Sequence, residues 1–322
     1  RESDGSIKLS TPESGIWGTE IIDDVGYCHY GILDGVNSKR KYILYERDRL
    51  GTNSFNIAKT DDEGIWKIET LDAPDFGGEY ALSVDDDGFA HVAYYTGSLI
   101  YMTNVSNQWN VSNIRNYVED SGFSIDADHK GTIHLSFIDD GLWYMTNKKS
   151  QWEETLIDTA GDNFPDIEID PSDNVHIFYS NTDDDLLHTN NSSGTWNITK
   201  IDGEEYINAS ASFDSKNNAH VVAFNYIKQV LYYFLQDGEN WSKQIITSNR
   251  AASEICVDSQ DRVSIVNDCK YFHQENGQWI ESENCVLPAG FRSIQVDNND
   301  MVQGLMDYRG GLWYVVFPRD YQ

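Results

Sequence analysis

Seven tryptophans recur in one context, each followed by a short alternating run. No other feature of the chain limits its fold so tightly. They are Trp17 (GIWGTEIID), Trp66 (GIWKIETLD), Trp109 (NQWNVSNI), Trp152 (SQWEETLID), Trp196 (GTWNITKID), Trp241 (ENWSKQIIT) and Trp279 (GQWIESENC), spaced by 49, 43, 43, 44, 45 and 38 residues. Trp143 and Trp313 fall outside the set. Two further features precede each later Trp of the set. One is an Asp, a few turn residues, and a polar residue six positions after the Asp. It runs from Asp85 to His91, Asp128 to His134, Asp170 to His176 and Asp214 to His220. Looser copies run from Asp258 to Ser264 and Asp297 to Gln303, and a lengthened one from Asp34 to Tyr42. The other feature is an apolar stretch, nearly identical in LIYMTN (99–104) and LWYMTN (142–147) and looser in LLHTNN, LYYFLQ and CKYFHQ. Its last copy, LWYVVF (312–317), has no Trp run after it.

Each period reads as four short strands, here called A to D: for example YALSVD (80–85), AHVAYY (90–95), LIYMTN and the Trp run. The strands alternate, are rich in aromatic and β-branched residues, and are separated by turn signals. Four short antiparallel strands every 40–45 residues or so is the pattern of a β-propeller blade. The chain opens on a lone D run (15–23), passes through six complete blades (24–290) and ends on A, B and C strands (291–317). The expected fold is therefore all-β: one domain, a seven-bladed β-propeller of four-stranded antiparallel blades. The N-terminal strand would close the last blade and cover an edge that would otherwise be open. A pair of stacked β-sandwiches would leave the sevenfold repeat unexplained. The pattern resembles the broad propeller superfamily that includes sialidase-like and BNR-repeat proteins, over nearly the whole chain. The sialidase Asp-box S-x-D-x-G-x-x-W and the WD and Kelch signatures are absent, so the resemblance implies an architecture and no particular activity.

Charge narrows the partners. Asp and Glu number 53 against 23 Lys and Arg, a net charge of −30. Such a surface repels nucleic-acid phosphates and anionic head groups, so neither nucleic acid nor membrane insertion is expected. No apolar run reaches the length of a membrane span. The four cysteines (Cys28, Cys256, Cys269 and Cys285) form no CxxC. Cys269 and Cys285 bracket one predicted C–D hairpin and are expected to form a disulfide; Cys28 and Cys256 are left unpaired. Asn-X-Ser/Thr triplets begin at Asn104, Asn110, Asn190, Asn191, Asn197, Asn208 and Asn240. With a start at Arg1, they point to an exported protein, extracellular or at the cell surface, and monomeric as an isolated domain.

The repeated Asp admits two readings. DDDG at Asp85–Gly88 resembles the start of a calcium loop, but no bidentate Glu follows at the required spacing. An Asp that accepts the N–H groups of its own turn, with a left-handed residue three positions on, is the favoured reading, and no cofactor is expected. The four repeated His residues lie on different blades, too far apart to share an ion, and read as satisfied core imidazoles. The repeated Trp reads as a wedge between neighbouring blades.

Propeller ligands bind at the end formed by D–A and B–C loops, by architectural analogy. Five of the ten arginines (Arg47, Arg49, Arg250, Arg292 and Arg309) map to these loops. The expected ligand residues are Tyr30, Glu79, Tyr80, Phe164, Tyr206, Arg250, Arg292, Asp307 and Arg309, binding a glycan, most plausibly acidic, or a protein. The favoured function is a non-catalytic binding module. One alternative is a carbohydrate-active enzyme: a hydrolase using Glu79 and Asp139, or a lyase with Tyr30 or His29 as base beside Arg292. Another is a structural repeat domain of a larger surface protein.

Overall fold

A computed structural model of the chain describes residues 7–13, 16–23, 27–35, 40–49, 52–73, 79–118, 122–148, 151–248, 253–267, 270–275, 277–281, 290–308 and 311–317. Strands make up seven sheets. The fold is the all-β seven-bladed propeller expected from the repeat. Two compact units share the blades: residues 75–253, and residues 1–74 with 254–322.

The 75–253 unit holds four blades of order A-B-C-D. The second blade of the chain is Tyr80–Val84, Ala90–Tyr95, Ser98–Thr103 and Asn110–Asn116. The third is Phe123–Ala127, Ile133–Ile138, Leu142–Thr146 and Glu153–Asp158. The fourth is Gly161–Ile169, Val175–Asn181, Leu186–Asn190 and Asn197–Asp202. The fifth is Tyr206–Phe213, Ala219–Asn225, Val230–Asp237 and Asn240–Thr247. B strands are buried along their length, as in Ile133–Ile138, whereas D strands such as Asn197–Asp202 are mostly exposed. This gradient explains why the B runs are so apolar and the D runs so polar.

The other unit holds the first blade (Tyr27–Asp34, Tyr42–Arg49, Thr52–Thr60, Trp66–Leu71), the sixth (Ser253–Val257, Val263–Asn267, Lys270–Glu275, Gln278–Glu281) and the closing blade. The closing blade differs from expectation. Gly290–Val296, Val302–Tyr308 and Gly311–Phe317 are joined by Ile7–Glu13, which pairs in parallel with the last of them (Lys8 with Trp313, Ser10 with Val315). The Trp17 strand, Ile16–Asp23, pairs with Ile7–Glu13 and makes a fifth, outermost strand. The N-terminus does cover the edge, but through the unpredicted hairpin arm IKLSTPE, which carries no Trp signature.

The repeated Asp is a turn residue, as expected. The Asp128 carboxylate accepts the N–H of Lys130 and Thr132 at 2.9 and 2.7 Å; Asp170, Asp214, Asp258 and Asp297 repeat the arrangement. The residue three positions on is left-handed each time: Gly88, Gly131, Asp173, Asn217, Asp261 and Asp300, with φ between 58° and 82°. Only Gly, Asn and Asp take this conformation cheaply, which accounts for the turn sequences.

The second carboxylate oxygen faces the repeated His. In the second blade Asp85 Oδ2 lies 3.2 Å from His91 Nε2, and His91 Nδ1 lies 2.7 Å from the Tyr101 hydroxyl. A carboxylate can only accept, so Nε2 carries the proton and Nδ1 accepts from Tyr101. Asp128–His134–Tyr144 and Asp214–His220–Tyr233 repeat the Tyr-side bond at 2.7 Å, while Nε2 faces the carboxylate at 3.5 and 3.6 Å, too long for a good hydrogen bond. In the fourth blade a second histidine replaces Tyr, with His188 Nε2 2.9 Å from His176 Nδ1. All four repeated His are at most 7% exposed. Burial holds His134 and His176 below the usual imidazole range. It pulls His188 down to about 3, helped by the neighbouring His176. These are core imidazoles, as the sequence indicated.

The Trp wedges also follow the expectation. Trp152 meets Tyr101 of the preceding blade edge-on at 5.0 Å, Trp196 meets Tyr144 at 4.8 Å, Trp241 meets His188 at 5.8 Å, and Trp66 meets Tyr314 at 6.1 Å. Edge-to-face pairs of this kind add about 0.5–1.5 kcal/mol beyond the area they bury. In the second, third and fourth blades the chain thus ends on the Trp of the next blade.

Candidate binding surface at the D–A and B–C loops

Antiparallel A-B-C-D order puts every D–A and B–C connection at one end of its blade and the Asp turns at the other. Within the 75–253 unit the loop ends are stitched together. The Tyr206 N–H donates to Asp184 O (2.8 Å), Tyr226 O–H to Asp184 Oδ2 (2.6 Å), and the Tyr226 N–H to Glu205 O (3.3 Å). Tyr179 O–H donates to Asp158 Oδ2 (2.8 Å), joining the fourth blade to the third. Asp140, Asp184, Glu205 and Asn208 hold left-handed backbone in these loops.

Phe164 is 47% exposed and lies directly on Gly122 of the neighbouring D–A loop. A Cβ at Gly122 would stand 2.4 Å from the Phe164 ring and 3.1 Å from its Cα, and Gly122 has φ +87°. No other residue fits that position, so the glycine is what seats the ring. Tyr117 (90% exposed) and Ile227 (61%) present further apolar surface from loops at the same end.

The sequence-derived site residues divide. Phe164 stands open, as a stacking surface requires. Glu79 and Tyr80 are half-buried where the second blade begins, and Glu79 O accepts the Tyr95 N–H at 3.1 Å. Tyr206 is a correction: it is 0% exposed, and its hydroxyl donates to Asp202 Oδ2 at 2.9 Å, so it belongs to the core and offers no stacking face. His29, Tyr30, Arg292 and Asp307 are placed as strand backbone, but their side chains lie outside the described residues, as do Arg250 and Arg309.

Asp139 is not an isolated carboxylate. Arg115, which the sequence reading passed over, donates Nη2 to Asp139 Oδ2 and Nη1 to Glu154 Oε2, both at 2.6 Å. The same guanidinium lies over the rings of Trp143 (4.4 Å) and Phe137 (4.8 Å). Trp143 in turn donates its indole N–H to Asp139 O at 2.8 Å. The spacing of Arg115 from its acids spans two blades, so only the fold reveals it.

The other cations described near this end are likewise matched. Lys200 meets Asp185 at 2.6 Å, Lys228 meets Glu204, and Lys243 meets Asp202 and Glu204 while lying 4.1 Å from the centre of the Tyr232 ring. The two lysines hold the Glu204 carboxyl at about 2. In contrast, Asp140, Asp162, Asp183 and Glu205 are exposed and join no ion pair among the described residues. Among the described residues, the free charge at the loop end of this unit is therefore acidic.

One acid sits deeper, among the A strands. Asp166 accepts the Ala211 N–H at 2.8 Å, and its neighbour Asp126 accepts Ser83 O–H and the Ile169 N–H. Enclosure, and then the Asp126 charge, raise Asp166 to about 7 despite the hydrogen bond it receives.

The glycosylation triplets also divide. Asn104 is 6% exposed, and its Oδ1 accepts the Ala90 N–H; Asn191 accepts the Val175 N–H in the same way. Asn147, which starts no triplet, does so for Ile133. These asparagines fasten the end of strand C to the start of strand B, which corrects their reading as glycan sites and explains the final Asn of LIYMTN and LWYMTN. Asn190 accepts from Ser192 in its own turn. Asn110, Asn197, Asn208 and Asn240 are exposed. Cys256 is buried and unpaired. Cys269 and Cys285 lie outside the described residues.

No family model and no curated protein matches the sequence. Solved structures do. A streptogramin B lyase aligns with TM-score 0.62 at 10% identity, covering 89% of this chain and 92% of that one. YCF48 bound to D1 peptide aligns with TM-score 0.60 at 11% identity, covering 91% and 93%. The Aleuria aurantia lectin, as a mutant in complex with Fucalpha1-6GlcNAc, aligns with TM-score 0.53 at 10% identity, covering 76% and 96%. At such identities the likeness is one of fold. The chain is a β-propeller whose neighbours include lectins, a peptide-bound protein and enzymes.

Proposed function

We propose that the chain is a non-catalytic binding module, acting outside the cell, that takes a glycan or protein partner on the loop end of its 75–253 blades. The observation that carries this is Phe164: an apolar ring left half-exposed and seated on a glycine that admits no side chain. Aromatic rings that keep one face open supply contact area at little entropic cost, which suits both sugar rings and peptide side chains. The hydrolase alternative is disfavoured because Asp139 is committed to Arg115. Lectin and peptide-bound neighbours support a binding role for this architecture. The exposed triplets at Asn110, Asn197 and Asn240 support export. The test is capture of ligands from a glycan array and from an extracellular-matrix extract, with Phe164→Ser alongside the unaltered chain. Loss of the captured signal in the variant, with an unchanged urea midpoint, is the expected result. Undiminished capture would reject this end as the binding surface.

A further inference from the structure

The same end carries a charge pattern that selects among partners. Its apolar residues, Tyr117, Phe164 and Ile227, are too exposed to serve the core. Its described cations, Arg115, Lys200, Lys228 and Lys243, are each held by one or two carboxylates of the unit itself. The acids Asp140, Asp162, Asp183 and Glu205 are left over, exposed and unmatched by any described Lys or Arg. An anionic ligand at this end would meet these carboxylates and find the guanidinium and ammonium groups already occupied. A cationic ligand would meet the reverse. Potentials across a specific interface are complementary, and like charges brought face to face cost several kcal/mol.

We propose that the loop end of residues 75–253 docks a cationic polypeptide segment, one that pairs Lys or Arg with apolar side chains. This rests on the binding-module reading and specifies its partner class. The apolar side chains of the segment would cover Phe164 and Tyr117. Its basic groups would pair with Asp140, Asp183 and Glu205. It reverses the acidic-glycan expectation drawn from the arginines, whose site-forming members lie outside the described side chains. It also gives the net charge of −30 a directional part, since long-range attraction would speed encounter with such a segment and weaken with salt.

The test uses the full chain and a labelled 12-residue peptide alternating Lys, Arg and Leu, followed by fluorescence anisotropy from low to physiological salt. A Glu-for-Lys/Arg peptide and a neutral and acidic glycan array run in parallel. Two triple variants remove equal charge: Asp140→Asn with Asp183→Asn and Glu205→Gln at the loop end, and Asp86→Asn with Asp237→Asn and Glu239→Gln at the opposite end. The loop-end triple should weaken the cationic peptide by about tenfold or more and the opposite-end triple by less than about twofold. Phe164→Ser should weaken it by about fivefold with the salt slope unchanged. Equal weakening by both triples would show diffuse attraction and overturn the proposal. Glycan binding that Phe164→Ser abolishes, without peptide binding, would overturn the partner class and leave the binding module standing. No peptide and no glycan bound at this end would remove both.

Discussion

The four blades of residues 75–253 and the sixth and closing blades fill the same buried polar position, between the turn Asp and strand C, with different residues. In the former the middle link is His91, His134, His176 or His220. In the sixth blade Ser264 takes the place, 2.9 Å from the Tyr271 hydroxyl, while Arg262 satisfies the Asp258 carboxylate. In the closing blade Gln303 donates to Asp297 Oδ2 at 2.6 Å, and its Oε1 accepts from Tyr314 and Lys41. What repeats is a buried polar group that meets the strand-C side chain; the residue type, and its reach toward the turn Asp, vary. The difference has an electrostatic consequence. A buried imidazole can be protonated and a buried Gln cannot; the sixth blade keeps an imidazole of its own, His273 opposite Ser264, so acid should act on the blades of His134 and His176 and not on the closing blade.

The largest effect expected is at the other unit's own weak point. Deleting residues 1–23 leaves Gly311–Phe317 as a bare edge, and a loss of several kcal/mol with aggregation is expected. Limited proteolysis should then cut the 254–317 region first. Unchanged urea and thermal midpoints would break the account of closure.

Acid is the next lever. His134, His176 and His188 are held neutral by burial, below the unfolded value near 6.5. A depressed pKa means that stability is intact above about 6.5 and falls as pH drops toward the folded value. His188 alone should cost about 3 kcal/mol by pH 4. His188→Tyr copies the Tyr101, Tyr144 and Tyr233 position, keeps a donor to His176, and should move the acid midpoint downward while changing stability at pH 8 by about 1 kcal/mol or less. An unmoved acid midpoint would show that His188 does not set it.

Asp166 has the opposite sign. Its folded pKa is raised, so its contribution is present at low pH and lost as pH rises through about 7. Asp166→Asn keeps an acceptor for the Ala211 N–H and should stabilise by about 2 kcal/mol at pH 8 but by much less at pH 4. A pH-independent effect would place the carboxyl in a more solvated setting. A smaller effect separates the asparagines: Asn104→Ala should cost about 1–2 kcal/mol through the unpaired Ala90 N–H, and Asn110→Ala about 0.5 kcal/mol or less.

Much of this was legible in the chain. Turn Asp, left-handed Gly, Asn or Asp, core His and wedge Trp are local signals repeated at one period, so each blade confirms the others. The LLHTNN copy even shows His188 standing where Tyr stands elsewhere. The candidate surface was legible only in outline. Phe164 falls on the right loop, but its seat on Gly122 depends on two loops meeting. Tyr206 reads as a loop aromatic because nothing local shows that Asp202 and the fifth-blade core enclose it. Arg115 lies in a D strand facing outward by its pattern, and its partners Asp139 and Glu154 come from the next blade. The N-terminal arm went unseen because a strand that pairs in parallel as an added layer carries no repeat of its own.

Hydrogen exchange resolved by segment, at pH 8 and pH 5, tests the contrast most directly. The account predicts that protection in Ile133–Ile138, Val175–Asn181 and Leu186–Asn190 falls between the two, after correction for intrinsic rates, while Val302–Tyr308 of the histidine-free closing blade holds its own. Equal loss in the closing blade, or loss there first, would contradict it.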